Sequence, residues 1–316
     1  MGARTLLVGA LLIAALGVVL AFSLSGLGGA ASRPVGPAPD ATKACAVSAG
    51  ATQRVSVAVA GQPVRSALVH LPPRRDGRMA LIVALHGAYG NGAFMERYSG
   101  LSKLGDREGF AVVYPDAAGP RWRIGAGEGE ADVQFIDALL DRVLSGGCFD
   151  GQRVAAVGVS NGVGMAARFA CAGDDRLAGL VAVAGDYGPL PTCQARRPLS
   201  VLEIHGTADA AAPYHGTAQD PGGDVLAWVT TWVDRDACRA VPRRTRPSAR
   251  VLRLDWTRCR DDTAVEHLQL VGGAHAWPGG DPPDAGPQFA VSASGAAWSF
   301  LRDRRLSPAA AERHHR

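Results

Sequence analysis

Gly158-Val159-Ser160-Asn161-Gly162 is the stretch on which the reading of this chain turns. The apolar run Arg153 to Val157 leads into it, and Val163-Gly-Met-Ala-Ala-Arg-Phe-Ala170 leads out of it. The order is strand, sharp turn, helix. A serine held at such a corner presents its hydroxyl above the end of a sheet, the geometry of a hydrolase nucleophile. Both flanking glycines are expected to be required, because a Cβ at either position would meet neighbouring strand or helix backbone. The chain holds 40 glycines, so the pentapeptide alone is weak evidence, and its placement between a β-type and a helical run gives it weight.

Working outward, β-type runs cover Arg54 to Val59 and Arg65 to Leu71, a hairpin around Gly61-Gln62-Pro63. Further runs cover Met79 to Leu85, Phe110 to Tyr114, Val154 to Val159, Leu177 to Val183, Leu199 to Ile204, Val251 to Leu254 and Ala264 to Val271. Helical patterns lie between them at Phe94 to Arg107, Asp132 to Leu144, after Ser160, at Asp224 to Arg235 and at Ala290 to Arg302. Strands alternating with helices after an opening hairpin predict an α/β domain with a mostly parallel sheet covered on both faces. The stretch between Val183 and Leu199 is too short for a lid domain, so an open cleft is expected.

Ligand chemistry in such a sheet gathers beyond the carboxyl ends of the strands. Ser160, Asp209 and His275 each follow a predicted strand, in the chain order of α/β-hydrolases. Asp209, in Ile204-His205-Gly206-Thr207-Ala208-Asp209, is the candidate acid that fixes a histidine tautomer. Its bland alternative is a turn cap, and rival acids are Asp186, Asp220 and Asp224. His275, in Gly272-Gly273-Ala274-His275, is the candidate base, since histidine titrates near neutrality. His70 in the hairpin, His215 in a turn and His267 in mid-strand are poorer candidates. Leu85-His86-Gly87-Ala88 follows the central strand, so the N–H groups of Ala88 and Asn161 are candidate donors to an oxyanion, with His86 bracing the loop. Tyr89, Trp122, Tyr187, Tyr214 and Trp277 are candidate substrate-binding walls, with plain packing as the alternative.

Leu85-His86-Gly87, Val112-Val113-Tyr114-Pro115-Asp116, the Ser160 pentapeptide, His205 to Asp209 and Gly272 to Gly279 together resemble the polyhydroxybutyrate depolymerase and feruloyl esterase group of α/β-hydrolases, from about Arg65 to Leu301. That group overlaps the first carbohydrate-esterase family. The resemblance implies a secreted serine esterase, with Ser160, Asp209 and His275 at the positions of nucleophile, acid and base. Trp122 and Trp277 match positions near the family's cleft. Two departures stand out: Ala88 occupies a position that is often Cys, and Val163 precedes Gly164 where a second Gly often follows Ser-Asn-Gly.

Residues 1–31 carry Arg4 and a nearly unbroken apolar run from Leu6 to Leu24, which predicts a signal peptide, favoured, or an N-terminal membrane anchor. Either places the rest outside the cytoplasm. Residues 32–43 read as a linker, 44–305 as the catalytic domain and 306–316 as a disordered tail. The six cysteines suit disulfides in an exported chain. Cys171 with Cys193 and Cys238 with Cys259 each close a short segment, leaving Cys45 with Cys148 by elimination. No Cys-x-x-Cys spacing points to zinc, and the expected chemistry calls for no metal or cofactor. A net charge of +4 argues against a nucleic-acid protein, and Arg239 to Arg260 reads as a solvated excursion rather than an anion grip. The expected partner is an ester, polysaccharide-linked or a short polyester, and a membrane only if the leader is retained. A cell-envelope acyltransferase and a non-catalytic wall-binding protein are the alternative functions.

Overall fold

The structure is a computed structural model that describes residues 48–74, 77–125, 129–172, 175–187, 193, 197–217, 223–281 and 289–306. The expected leader, the linker and residues 307–316 lie outside these, as does most of the short stretch on which the open-cleft expectation rested. Leu306, assigned to the tail from sequence, is buried, and its N–H bonds to Gln152 O at 2.8 Å. No helix among the described residues is long and apolar enough to cross a membrane.

The continuous apolar run Met79–Leu85 forms β3, buried at every residue. Its alternate side chains serve two different cores: Met79, Leu81, Val83 and Leu85 face one, while Ala80, Ile82 and Ala84 face the other. That is the signature of a strand covered on both sides. Each Leu, Ile or Val so buried contributes about 1.5–3 kcal/mol. Parallel neighbours β4 (Ala111–Pro115) and β5 (Phe149–Val159) flank it. β6 (Gly179–Val183), β7 (Ser200–Gly206) and β10 (Val265–Leu270) continue the parallel series beyond β5.

Antiparallel strands finish both edges. β1 (Ala51–Val57) and β2 (Arg65–Leu71) form the opening hairpin, with β2 against β4. β9 (Val251–Trp256) pairs with β10, and β8 (Arg243–Ser248) pairs with β9 at the outer edge. Among the described residues the ten strands make one sheet in the order β1-β2-β4-β3-β5-β6-β7-β10-β9-β8. Helices α3 (Glu130–Leu144), α4 (Asn161–Cys171) and α5 (Val225–Arg235) supply Ile136, Met165 and Val229 to one core. Helices α1 (Gly92–Ser99), α2 (Leu101–Glu108) and α6 (Ala293–Leu301) supply Met95, Leu101 and Trp298 to the other.

The helix expected over Phe94 to Arg107 is two helices. Gly100, at φ 63°, ends α1 with its N–H on Glu96 O and starts α2. The disulfides Cys171–Cys193 and Cys238–Cys259 are formed. Cys148 is also disulfide-bonded, and its expected partner Cys45 lies outside the described residues.

Candidate active site

β5 delivers Ser160 into the turn and α4 starts at the next residue. Ser160 adopts φ 53° and ψ −125°, a backbone region that L-residues avoid and that functional corners hold by over-determination. The surrounding contacts show what holds it. Its N–H bonds to Val183 O at 3.1 Å, and its carbonyl accepts from Val163 N and Asp186 N. A Cβ on Gly158 would stand 2.5 Å from Gly162 O, and one on Gly162 would stand 2.3 Å from Leu85 O. The two glycines therefore allow three backbone segments to touch around the serine.

The loop after β3 abuts this corner: a Cβ on Gly87 would lie 3.3 Å from the Ser160 Cβ. His86 braces the loop. Its Nε2 accepts the Ala117 N–H at 3.1 Å, which leaves the proton on Nδ1 to bond Gly87 O at 2.7 Å. Burial pushes the His86 pKa down, consistent with a neutral ring. The main-chain hydrogen bonds of the described residues use neither the Ala88 N–H nor the Asn161 N–H. Both ends of the Asn161 side chain instead hold the main chain of Trp122: Oδ1 accepts from Trp122 N at 2.7 Å and Nδ2 donates to Trp122 O at 3.2 Å.

β7 and β10 end beside each other and carry the other two residues. The loop after β7 is stitched to the loop after β10 by Thr207 N to Leu270 O, Ala208 N to Gly273 O and Gly272 N to Thr207 Oγ1, each 2.9 Å. Gly206 allows the approach, since a Cβ there would meet Gly273 O at 2.2 Å. Asp209 Oδ2 receives His275 Nδ1 at 2.8 Å, and Oδ1 accepts the N–H groups of Ala211 and Ala212 at 2.9 and 2.7 Å. Asp209 is thus both a turn cap and a histidine partner. Burial would raise its pKa, but the His205 and His275 imidazoles and the Ala212 N–H outweigh it and hold the carboxyl well below the usual range. The His275 ring is partly open, with 28% of its side chain exposed. Among the described residues no hydrogen bond joins it to Ser160 Oγ. Such bonds are often long before substrate binds.

Of the rival acids, Asp224 caps α5 through Ala227 N and faces His215 at 3.5 Å, and Asp220 lies outside the described residues. The acid that meets the His275 ring is Asp209. His70 bonds Thr52 and Asp106 in the hairpin region.

Four of the five expected wall residues are packed inside instead. Trp122 and Trp277 are 1% and 0% exposed, Tyr187 and Tyr214 are 5% and 3%. Each polar tip has found an interior partner: Trp122 Nε1 bonds His86 O at 3.0 Å, Trp277 Nε1 bonds Ser294 Oγ at 3.0 Å, Tyr187 bonds Glu203, and Tyr214 meets His267 Nε2 at 2.6 Å. Trp122 is a strut, tying the His86 loop to Asn161. Tyr89 differs. It is 81% exposed, and its φ of 63° is unusual for a bulky residue. A hydrogen bond from its N–H to Pro120 O at 2.5 Å fixes that conformation.

The sequence reading missed Glu203 and set His267 aside. The two are direct partners in the parallel β7–β10 register and are 0% exposed. Glu203 Oε2 faces His267 Nδ1 at 2.5 Å, and Oε1 takes Tyr187 OH and His205 Nδ1, the latter at 3.0 Å. Burial pushes the Glu203 pKa up, but the two imidazoles pull it down further, to about 2. Relative to an unfolded carboxyl, that contribution to stability is complete above about pH 4.5. It is lost as pH falls towards 2. Glu203→Gln is therefore expected to cost about 3–5 kcal/mol at pH 7, since it leaves buried cationic and polar groups without their anion. The gap to wild type in thermal melting should close as pH falls from 4.5. A gap that stays constant with pH would contradict the charge assigned to Glu203.

Comparison with known proteins extends the geometry. The sequence profile of the Esterase PHB depolymerase family matches residues 65–211. NocK of Nocardia uniformis subsp. tsuyamanensis, described as an esterase, is 30% identical over 84% of this chain and 90% of its own length. Feruloyl esterase B of Piromyces equi is 26% identical over 67% of this chain, which spans 42% of that enzyme. Among solved structures, an acetyl xylan esterase from Aspergillus awamori superposes with a TM-score of 0.56 at 14% identity, covering 72% of this chain and 95% of its own, and shares the fold. The chain belongs to the PHB depolymerase esterase family of α/β-hydrolases and is a carboxylic ester hydrolase.

Proposed function

We propose that the chain is an exported serine esterase in which Ser160 is the nucleophile, His275 the general base and acid, and Asp209 the residue that orients and charges the histidine. The observation that carries this reading is the strained corner at Ser160, φ 53°, standing beside the Ala88 and Asn161 N–H groups, which no acceptor among the described residues uses. In the reaction Ser160 Oγ attacks the ester carbonyl and its proton passes to His275 Nε2. The carbonyl oxygen becomes an anion bound by the Ala88 and Asn161 N–H groups, an interaction stronger in the transition state than in the ground state. His275 returns the proton to the departing alcohol, leaving an acyl group on Ser160. Water, deprotonated by His275, then releases the acid.

The substrate class follows from Tyr89 and the relatives. A feruloyl esterase and an acetylxylan esterase stand among the relatives, and this chain presents one exposed aromatic ring next to the proposed oxyanion donors. Short acyl and feruloyl esters on a carbohydrate fit that arrangement. The disulfides suit an oxidising compartment, in keeping with export through the leader expected at residues 1–31. A panel of p-nitrophenyl acetate, methyl ferulate, acetylated xylan and polyhydroxybutyrate film tests the class: hydrolysis of the first two is expected, and turnover of none of the four would reject it. Tyr89→Ala should raise KM for methyl ferulate about tenfold, the value of one aromatic stacking contact, while leaving p-nitrophenyl acetate within about twofold. Equal effects on both esters would remove Tyr89 from the substrate site.

A further inference from the structure

Behind the Asp209–His275 pair lies a buried polar chain that the mechanism above does not use. His205 sits on β7 with a side chain 0% exposed, four residues before Asp209. Its Nε2 donates to Ala212 O at 2.9 Å and lies 3.2 Å from Asp209 Oδ2, the same oxygen that His275 Nδ1 reaches at 2.8 Å. Its Nδ1 faces Glu203 Oε1 at 3.0 Å, with Tyr187 OH at 3.4 Å. Both ring nitrogens therefore point at oxygen acceptors. Glu203 has no proton to give, because against its burial the imidazoles around it hold its carboxyl ionised, with its pKa drawn down to about 2. Its Oε1 receives Tyr187 OH, and its Oε2 faces His267 Nδ1, whose other nitrogen meets Tyr214 OH. With Glu203 ionised, a ring that donates from both nitrogens, to Glu203 Oε1 and to Ala212 O, is an imidazolium.

We propose that His205 is a positioning residue, a permanently charged imidazolium held between Glu203 and Asp209 that shares the Asp209 carboxylate with His275 and so sets the pH at which the proposed base becomes active. The groups facing it from each packed element are Glu203 on its own strand, Tyr187 after β6, His267 on β10, Tyr214 before α5, and Asp209 with His275 beyond the strand ends. Burial lowers the His205 pKa, but the Asp209 and Glu203 contacts raise it further, to about 10, in accord with the geometry. Two cations cannot draw fully on one carboxylate. The fixed charge on His205 disfavours a second proton on His275, which keeps the base free at lower pH than a carboxylate dedicated to His275 alone would.

This inference rests on the assignment of His275 and Asp209 made above, and its test separates the two. The pH profile of kcat/KM for p-nitrophenyl acetate is measured for wild type, His205→Gln and Ser160→Ala. His205→Gln keeps a polar group in place but removes the charge, and its acid limb is expected to move up by about one pH unit, the size of a like-charge effect at this range. A filler role in packing would lower the melting temperature and leave the limb where it is, and that result overturns the proposal. Activity retained in Ser160→Ala near the wild-type level would instead strike at Ser160 as the nucleophile. Should His205→Gln fail to fold, the wild-type protein answers directly: 15N spectra of its histidine rings at pH 8.5 should contain one ring protonated at both nitrogens. Only neutral rings at that pH would refute a charged His205.

Discussion

Ser160→Ala is expected to lower kcat for p-nitrophenyl acetate by about a millionfold, to the background set by the remaining oxyanion donors and binding. The substitution leaves the fold alone, because the Ser160 main chain, not its Oγ, makes the bonds to Val183, Val163 and Asp186 that hold the turn. The strained φ of 53° is borne by alanine about as well as by serine, since both carry a Cβ. An unchanged melting temperature with activity lost is therefore the expected pair of results. Loss of both would make the test uninformative about chemistry, and Ser160→Cys, which keeps a nucleophile, would then be expected to retain acylation by activated esters.

Asp209→Asn should cost about 10⁴-fold in kcat near neutral pH. The amide preserves the cap on Ala211 and Ala212 if its oxygen turns toward their N–H groups. Its NH₂ then faces His275 Nδ1, which donates to the native carboxylate, and stands close to His205 Nε2. His275 must take the other tautomer, with its proton on Nε2, and can no longer accept from Ser160. The loss should ease as pH rises and hydroxide competes for the proton. A cost below tenfold would mean that another acid supports the base.

The parts legible in the sequence are those that depend on local pattern. The Ser160 corner, the parallel strands around β3 and the positions of Asp209 and His275 beyond β7 and β10 follow from apolar runs ended by glycine-rich turns. What escaped depends on register. Glu203 and His267 are 64 residues apart and read as ordinary strand residues, yet the β7–β10 pairing sets them side by side. β8 escaped for a different reason: Arg243–Ser248 is polar, carries Pro247 and lacks alternation. It exists as an outer strand beside β9, with its register shifting between Thr245 and Ser248, where a proline and charged side chains are tolerated. The aromatic residues misled because size and ring chemistry suit a core as well as a cleft. Trp122 and Tyr187 were drawn inside by buried acceptors, His86 O and Glu203, which no spacing rule reveals.

The central claim is that Ser160 and His275 act as one unit, and covalent labelling reads it most directly. Wild-type protein treated with diisopropyl fluorophosphate should gain one adduct by intact mass, mapped to the peptide carrying Ser160, and His275→Ala should form it about a thousandfold more slowly. An adduct on any other residue, or equal labelling rates in the two proteins, would contradict the account.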